Sequence, residues 1–233
     1  MKQTIYYAIG DIHGESVRLR ALHKSITEFH KTFYKDRPQI RIHLGDYVDR
    51  GSDSYGVVKY IRNLERHAPF QVINLKGNHE SLMLDAYAHN RLGAMRTWLD
   101  NGGDATVLSY QKHGHQVPPK SHMDWLSKLP NWHRDKARDL VFVHAGIDPE
   151  SFPNDSERVR LWTRNPAFFD TKQWQSPILT KMCVIHGHTP TLDNKPDITK
   201  DGRRINIDTG ACYDGYLTAA ILAPGEKPRF LHA

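Results

Sequence analysis

Three short clusters in the first third of the chain carry groups able to support metal-assisted hydrolysis. They are Asp11 and His13 in Gly10-Asp11-Ile12-His13-Gly14, Asp46, Asp49 and Arg50 in Gly45-Asp46-Tyr47-Val48-Asp49-Arg50-Gly51, and Asn78 and His79 in Gly77-Asn78-His79-Glu80. The second half adds His144 in His144-Ala145-Gly146 and His188 in His186-Gly187-His188-Thr189-Pro190. Carboxylate, imidazole and amide donors together suit two divalent transition ions. Manganese is the expected metal, with iron, zinc, cobalt or nickel also accepted by such donors. A carboxylate is the side chain best able to span two ions about 3.5–4 Å apart, and Asp46, in the central cluster, is the bridging candidate. Water held between such ions is hydroxide near neutral pH and can attack phosphorus in line. Arg50 offers a planar fork for phosphoryl oxygens. His79, left free of metal, can protonate a leaving alkoxide, and a nearby carboxylate would fix its tautomer and raise its pKa.

Such groups must be held by a rigid frame, and the pattern around them supplies one. Each of the three clusters follows a short apolar run: Tyr6-Tyr7-Ala8-Ile9, Gln39-Ile40-Arg41-Ile42, and Gln71-Val72-Ile73-Asn74-Leu75. These runs read as strands, separated by helical patterns from Val17 to about Phe33 (apolar at Val17, Leu19, Leu22, Ile26 and Phe29) and over roughly 53–67. The β-α-β-α-β order predicts an α/β fold in which strand ends carry the ligands. A stretch of about 91–135 reads as a mainly helical insertion beside the site, with Trp98, Leu99, Trp125 and Leu126 as packing residues. Strands resume at 140–143, 182–185, 204–207 and 216–222, and the first two lead into His144 and His188. The expected architecture is two packed mixed β-sheets flanked by helices, forming a single domain over 1–233, with all five motifs at one edge.

Composition narrows the function classes. With 233 residues and 39% hydrophobic content, the chain can bury a sizeable core. No apolar run reaches the roughly 18–20 residues that span a bilayer, so no membrane partner is expected and a cytoplasmic location is. Cys183 and Cys212 give no disulfide framework, and neither has an arginine six positions on, which excludes a cysteine-phosphate loop. The formal charge of +6 favours anionic partners. Its lysines and arginines are scattered without interleaved aromatics, so stable nucleic-acid binding is not expected.

The intact motifs GDxHG (10–14), GDxVDRG (45–51) and GNHE (77–80) resemble those of the phosphoprotein phosphatase family within the calcineurin-like metallophosphoesterases. Trp162-Thr163-Arg164, Gly187-His188-Thr189-Pro190 and Ile207-Asp208-Thr209-Gly210-Ala211 are similar to the bacterial and lambda phage serine/threonine phosphatase branch. The likeness runs from about residue 4 to 222. It implies a metallophosphoesterase α/β sandwich and a first metal on Asp11, His13 and Asp46. It implies a second metal on Asp46, Asn78 and His144, with His188 on one or the other. It further implies Asp49 and His79 as a general-acid couple, and Arg50 with a second arginine on the phosphate. Arg164 matches that second position, while Arg158 and Arg160 lie close enough to compete.

Other histidines read more plainly. His113-Gly114-His115 follows no apolar strand and is expected in a solvated loop. His186 is expected to support its neighbours rather than bind metal, and His43 to pack. The resemblance implies a di-metal phosphomonoesterase acting through a metal-bridging hydroxide on phosphoprotein or small phosphoester substrates, foremost phosphoserine and phosphothreonine. The alternative is a nucleotide phosphohydrolase of the symmetrical dinucleoside tetraphosphatase kind. A fold retained only as a binding scaffold would be expected to have lost ligands or the GNHE histidine, and both are kept here.

Overall fold

The computed structural model describes residues 3–88 and 93–233. Its first half runs β1 (Ile5–Ile9), α1 (Ser16–Phe33), β2 (Gln39–His43), α2 (Ser54–His67), β3 (Gln71–Asn74) and α3 (Asn78–Tyr87). There follow α4 (Ala94–Trp98), α5 (Asp104–Lys112) and α6 (Lys120–Ser127), then β4 (Trp132–Asp135) and β5 (Leu140–Val143). Short helices α7 (Glu157–Trp162) and α8 (Pro166–Phe169) lead to β6 (Cys183–His186), β7 (Asp197–Ile198), β8 (Arg204–Asn206), β9 (Thr218–Leu222) and β10 (Arg229–His232).

The strands form two five-stranded mixed sheets, ordered β10-β9-β1-β2-β3 and β4-β5-β6-β8-β7. In the first, β1, β2 and β3 are parallel, and β9 and β10 add antiparallel strands beyond β1. In the second, β5, β6 and β8 are parallel between antiparallel β4 and β7. This is the α/β sandwich expected from the strand-helix alternation.

Every residue of β1 is buried, because both sheet faces are covered and the usual polar alternation is lost. Tyr6 and Ala8 join Ile42, Phe142, Ile185 and Ile205 in the core between the sheets. Ile5, Tyr7 and Ile9 face α1 and α2, meeting Leu19, Leu22, Ile26, Val57 and Ile61. A third core lies outside the second sheet around Val141, Val184, Phe168 and Trp174. The side-chain period of two thus locks the parallel strands in register, and their carboxyl ends come out together.

Several expectations are corrected. Val17 is 78% exposed, since it lies about 200° around the helix from Leu19 and so on the opposite face. The stretch of about 91–135 begins on residues outside those described, is helical through α4, α5 and α6, and ends in strand β4 rather than helix. Strands β7 and β10 and helices α7 and α8 were not expected. Helix α3 starts at Asn78, so Asn78, His79 and Glu80 occupy its first turn.

Candidate active site

The segments after β2, β3 and β6 open onto one polar cavity of about 260 Å³, lined in part by Asp46, Asn78, His79 and His188, and those after β1 and β5 bring Asp11, His13 and His144 against these side chains. The loops that reach it are sharply bent. Of the seven non-glycine residues with positive φ among those described, five belong to the predicted site: His13, Asp46, Asp49, Arg50 and His188. Left-handed backbone costs such residues on the order of 1–3 kcal/mol each, so the surrounding packing must enforce it. Gly45 (φ +108°) cannot be replaced without collision, because a Cβ there would come 2.5 Å from the Gly77 nitrogen. At Gly187 a Cβ would stand 2.0 Å from Asp11 Oδ1.

Asp46 sits at the centre. Its Oδ2 lies 3.4 Å from His13 Nε2 on one side and 3.4 Å from His144 Nε2 on the other. Its Oδ1 accepts the His79 backbone N–H at 3.1 Å. Burial alone would raise its pKa, but His144, His79, His13 and His188 outweigh burial and hold the carboxyl below its usual range.

The histidine tautomers follow from backbone carbonyls. His13 Nδ1–H donates to Val48 O at 2.9 Å, and His144 Nδ1–H to Leu44 O at 3.0 Å. Both Nε2 lone pairs therefore turn inward. Burial holds these imidazoles neutral, pushing His13 down to about 3 and His188 to about 2, and lowering His144. Asn78 Oδ1 lies 2.8 Å from His144 Nε2 and 2.9 Å from His188 Nδ1. Asn78, His144 and His188 thus bring atoms able to ligate a cation together at one point.

Asp11 adds to the same conclusion. Its Oδ2 accepts the His188 backbone N–H at 3.0 Å, whereas its buried Oδ1 has no hydrogen-bond partner. Burial, then Asp208 and Asp46, push its pKa well above the usual carboxylate range. A buried carboxylate oxygen facing other carboxylates is stable beside positive charge and costly without it. Ligand atoms of His13, Asp46 and His79, and of Asp46, His144 and His188, gather within 4.8 Å in two groups that share Asp46. The donor set fits a binuclear metal site of neutral imidazole, amide and carboxylate. The first group contains His79 where the resemblance implies Asp11.

His79 has another commitment. Its Nδ1–H donates to Asp49 Oδ2 at 2.7 Å, leaving Nε2 toward the cavity, and its ring stands edge-on to His13 at 4.7 Å. Burial lowers its pKa, but Asp46 and Asp49 more than offset this, and the net shift is upward. Asp49 is wholly buried and strongly held: Trp98 Nε1 lies 2.9 Å from each of its oxygens, and Thr106 Oγ1 donates at 2.7 Å.

Arg50 and Arg164 both line the cavity, with Trp162 and Asn101 beside them. Arg50 Nη1 donates to His13 Nε2 at 2.7 Å and its guanidinium lies over Tyr213. Of the other two candidates, Arg160 is buried, bonded through Nη2 to Asp155 Oδ1 at 2.7 Å and packed over Trp132. Arg158 is exposed on α7 and does not line the cavity. His186 has both nitrogens engaged, Nδ1 with Gly187 O and Nε2 with Arg204. His43 packs in the interior against Asn74 and His23, and His113 lies on Tyr55, 4.3 Å between ring centroids, at the end of α5.

Three positioning groups were missed. Glu80 accepts backbone N–H bonds from Asp46 (2.8 Å), Tyr47 (2.7 Å), Val48 (3.3 Å) and Gly77 (2.8 Å), clamping the Asp46 loop to α3. Its place within GNHE could have flagged it. Trp98, expected only to pack, also fixes Asp49, and Thr106 does the same, with no local sequence signal for either. Cys212 lies against Arg50, its thiol pushed up to about 11 by burial, which keeps it from acting as a thiolate.

Comparison with known proteins agrees with this geometry. Residues 6–212 match the model of the calcineurin-like phosphoesterases. The chain is 25% identical to the asymmetrical bis(5'-nucleosyl)-tetraphosphatase PrpE of Halalkalibacterium halodurans, covering 91% of this chain and 87% of that one. It is also 25% identical to serine/threonine-protein phosphatase 1 of Salmonella typhimurium, covering 92% and 90%. Among solved structures it is similar in fold to a putative diadenosine tetraphosphatase (TM-score 0.63, 20% identity, 98% and 93% covered). A Saccharomyces cerevisiae protein serine/threonine phosphatase is similar too (TM-score 0.58, 15% identity, 99% and 80% covered). No helix among the described residues is long and apolar enough to cross a membrane. With its paired histidine–carboxylate groups around Asp46 and a family match over most of its length, this chain belongs to the calcineurin-like phosphoesterases and is a metal-dependent phosphoesterase.

Proposed function

We propose that the chain is a phosphomonoesterase of the serine/threonine protein phosphatase kind. The observation that carries this reading is the cavity itself. At about 260 Å³, with Trp162 the one apolar-bodied group lining it among the described residues, it is smaller than the roughly 300–1,000 Å³ of sites that engulf a drug-sized ligand. It has room for one phosphoryl group and its ester oxygen, with the rest of the substrate outside.

Asp11, His13 and Asp46 would hold one ion, and Asp46, Asn78, His144 and His188 the other. Two such ions, when bound, supply an activated water and neutralise charge developing on the phosphoryl oxygens. Arg50 and Arg164 orient the phosphoryl group by paired N–H donation, which places phosphorus in line. His79 Nε2 points into the cavity and gives its proton to the leaving alkoxide, while Asp49 fixes the ring and stabilises the imidazolium beforehand. Trp98 and Thr106 hold Asp49 for that purpose.

One observation favours a second reading. Trp162 is 39% exposed at the cavity, where its indole could stack on a nucleobase, and several relatives bear the name of tetraphosphatases. The test compares kcat/KM, with manganese, on phosphoserine, phosphothreonine and phosphotyrosine peptides and on diadenosine tetraphosphate. The phosphoserine and phosphothreonine peptides should win. A dinucleotide preference above about tenfold, some 1.4 kcal/mol in transition-state binding, would replace this reading with the nucleotide one.

A further inference from the structure

A second cavity, of about 590 Å³, lies away from the metal-ligand cluster, between α1, α2 and the amino-terminal approach to β3. Four cationic side chains line it, Arg20, Lys24, Lys31 and Arg41, against one carboxylate, Glu28. Arg20, Lys24, Lys31 and Glu28 are exposed on α1, and Lys24 and Glu28 stand 4.0 Å apart at the surface. Arg41 is different: it sits on β2 and is only 2% exposed.

The partners of Arg41 are all neutral. Nε donates to Gln39 Oε1 at 3.1 Å, Nη1 to His23 Nδ1 at 2.8 Å, and Nη2 to Thr27 Oγ1 at 2.9 Å. His23 cannot serve as a counter-charge, because it accepts from Arg41 and lies 3.0 Å from His43 through its other nitrogen. Burial lowers the Arg41 pKa to about 10, and only the neutral phenols of Tyr60 and Tyr7 oppose it. A buried guanidinium is ordinarily paired with a carboxylate, since an uncompensated buried charge destabilises the fold.

The cavity wall also pre-orders its cations. The Arg41 guanidinium lies 4.2 Å over the Phe70 ring and that of Arg20 4.7 Å over Tyr60. The rings hold each guanidinium in place; Arg41, bonded to Gln39, His23 and Thr27, keeps one Nη2 N–H for a further acceptor, and the exposed Arg20 fork is open to phosphate oxygens. Buried uncompensated charge, stacked guanidinium groups and an open cavity thus coincide at one place. We propose that this cavity binds a phosphorylated small molecule, whose phosphate supplies the missing counter-charge to Arg41, independently of the metal-centred site.

Inorganic phosphate added to the manganese-loaded protein, followed by amide hydrogen exchange, tests this. Phosphate should slow exchange at least fivefold in 20–31 and 60–70, as well as around the metal-centred cavity. The Arg20→Gln/Lys24→Gln double variant, altered only at exposed positions of α1, should lose the slowing in 20–31 and 60–70. It should keep the slowing at the other site and keep full turnover of p-nitrophenyl phosphate. Arg41→Lys, which retains charge but not the fork, should raise the phosphate concentration needed for half the effect at least threefold. Slowing confined to the metal-centred cavity, or a response unchanged in these variants, would overturn the proposal.

Discussion

Glu80→Gln would remove one oxygen acceptor and change almost nothing else in size. Each Glu80 oxygen receives two backbone N–H groups: Oε2 those of Asp46 and Gly77, Oε1 those of Tyr47 and Val48. Burial, and then Asp46, push the carboxyl up to about 8. Yet these four partners are all donors, so the geometry calls for acceptors at both oxygens. An amide NH2 in place of either oxygen would face two donors and lose two hydrogen bonds to a charged group, at about 1.5–3 kcal/mol each. The expected loss is about 3–6 kcal/mol, a large part of the roughly 5–15 kcal/mol by which folded domains are stable. In a domain of this size each kcal/mol moves Tm by about 2–4 °C, so the variant should melt on the order of 10 °C lower. Because the clamped loop carries Asp46, metal affinity should fall as well. Denaturant unfolding of chelated protein reads the first effect and metal titration the second. A variant within about 1 kcal/mol of wild type would show that Glu80 is held as a neutral acid, and the clamp as described would be wrong.

Other consequences are sharper for chemistry than for folding. His79→Asn should spare metal content yet lower turnover of alkyl phosphates about 10²-fold or more, and lower it less on p-nitrophenyl phosphate, whose leaving group hardly needs a proton. Equal losses on both substrates would remove His79 from the proton-transfer role. Through His43 and His23, acid should weaken the fold at a pH still above the ordinary carboxylate range. Burial holds His43 at about 4 and His23 well below its usual value, so only the unfolded chain takes up these protons as pH falls below about 6.5. Stability is thus fully present above that pH and declines below it, by about 2 kcal/mol per histidine at pH 5. Denaturation midpoints that coincide at pH 7.5 and pH 5 would contradict this.

Much of the candidate cluster was legible because its side chains sit directly after short apolar strands, where a contiguous motif and a strand end coincide. Asp11, Asp46, Asn78, His144 and His188 come together for that reason, though they span most of the chain. Arg164 is separated from Arg158 and Arg160 only by three-dimensional placement: the latter two lie on α7 and face away from the cavity, while Arg164, two residues past the helix end, lines it. Trp98 and Thr106 were beyond reach because their partner, Asp49, is some 50 residues away and joined to them only by tertiary packing. Among the strands, β7 has two residues and β4 reads Trp-His-Arg-Asp, too short or too polar for alternation to be seen. Sheet partners, and not local propensity, make them strands.

The central claim is that Asp46 joins two metal positions, and metal counting tests it directly. Chelated protein titrated with manganese should bind two ions per chain with activity rising to saturation at the second. Asp46→Asn, lacking the charge to bridge two cations, should bind fewer than two ions under the same conditions and lose most turnover. Two ions bound by the variant with turnover near wild type would contradict the account.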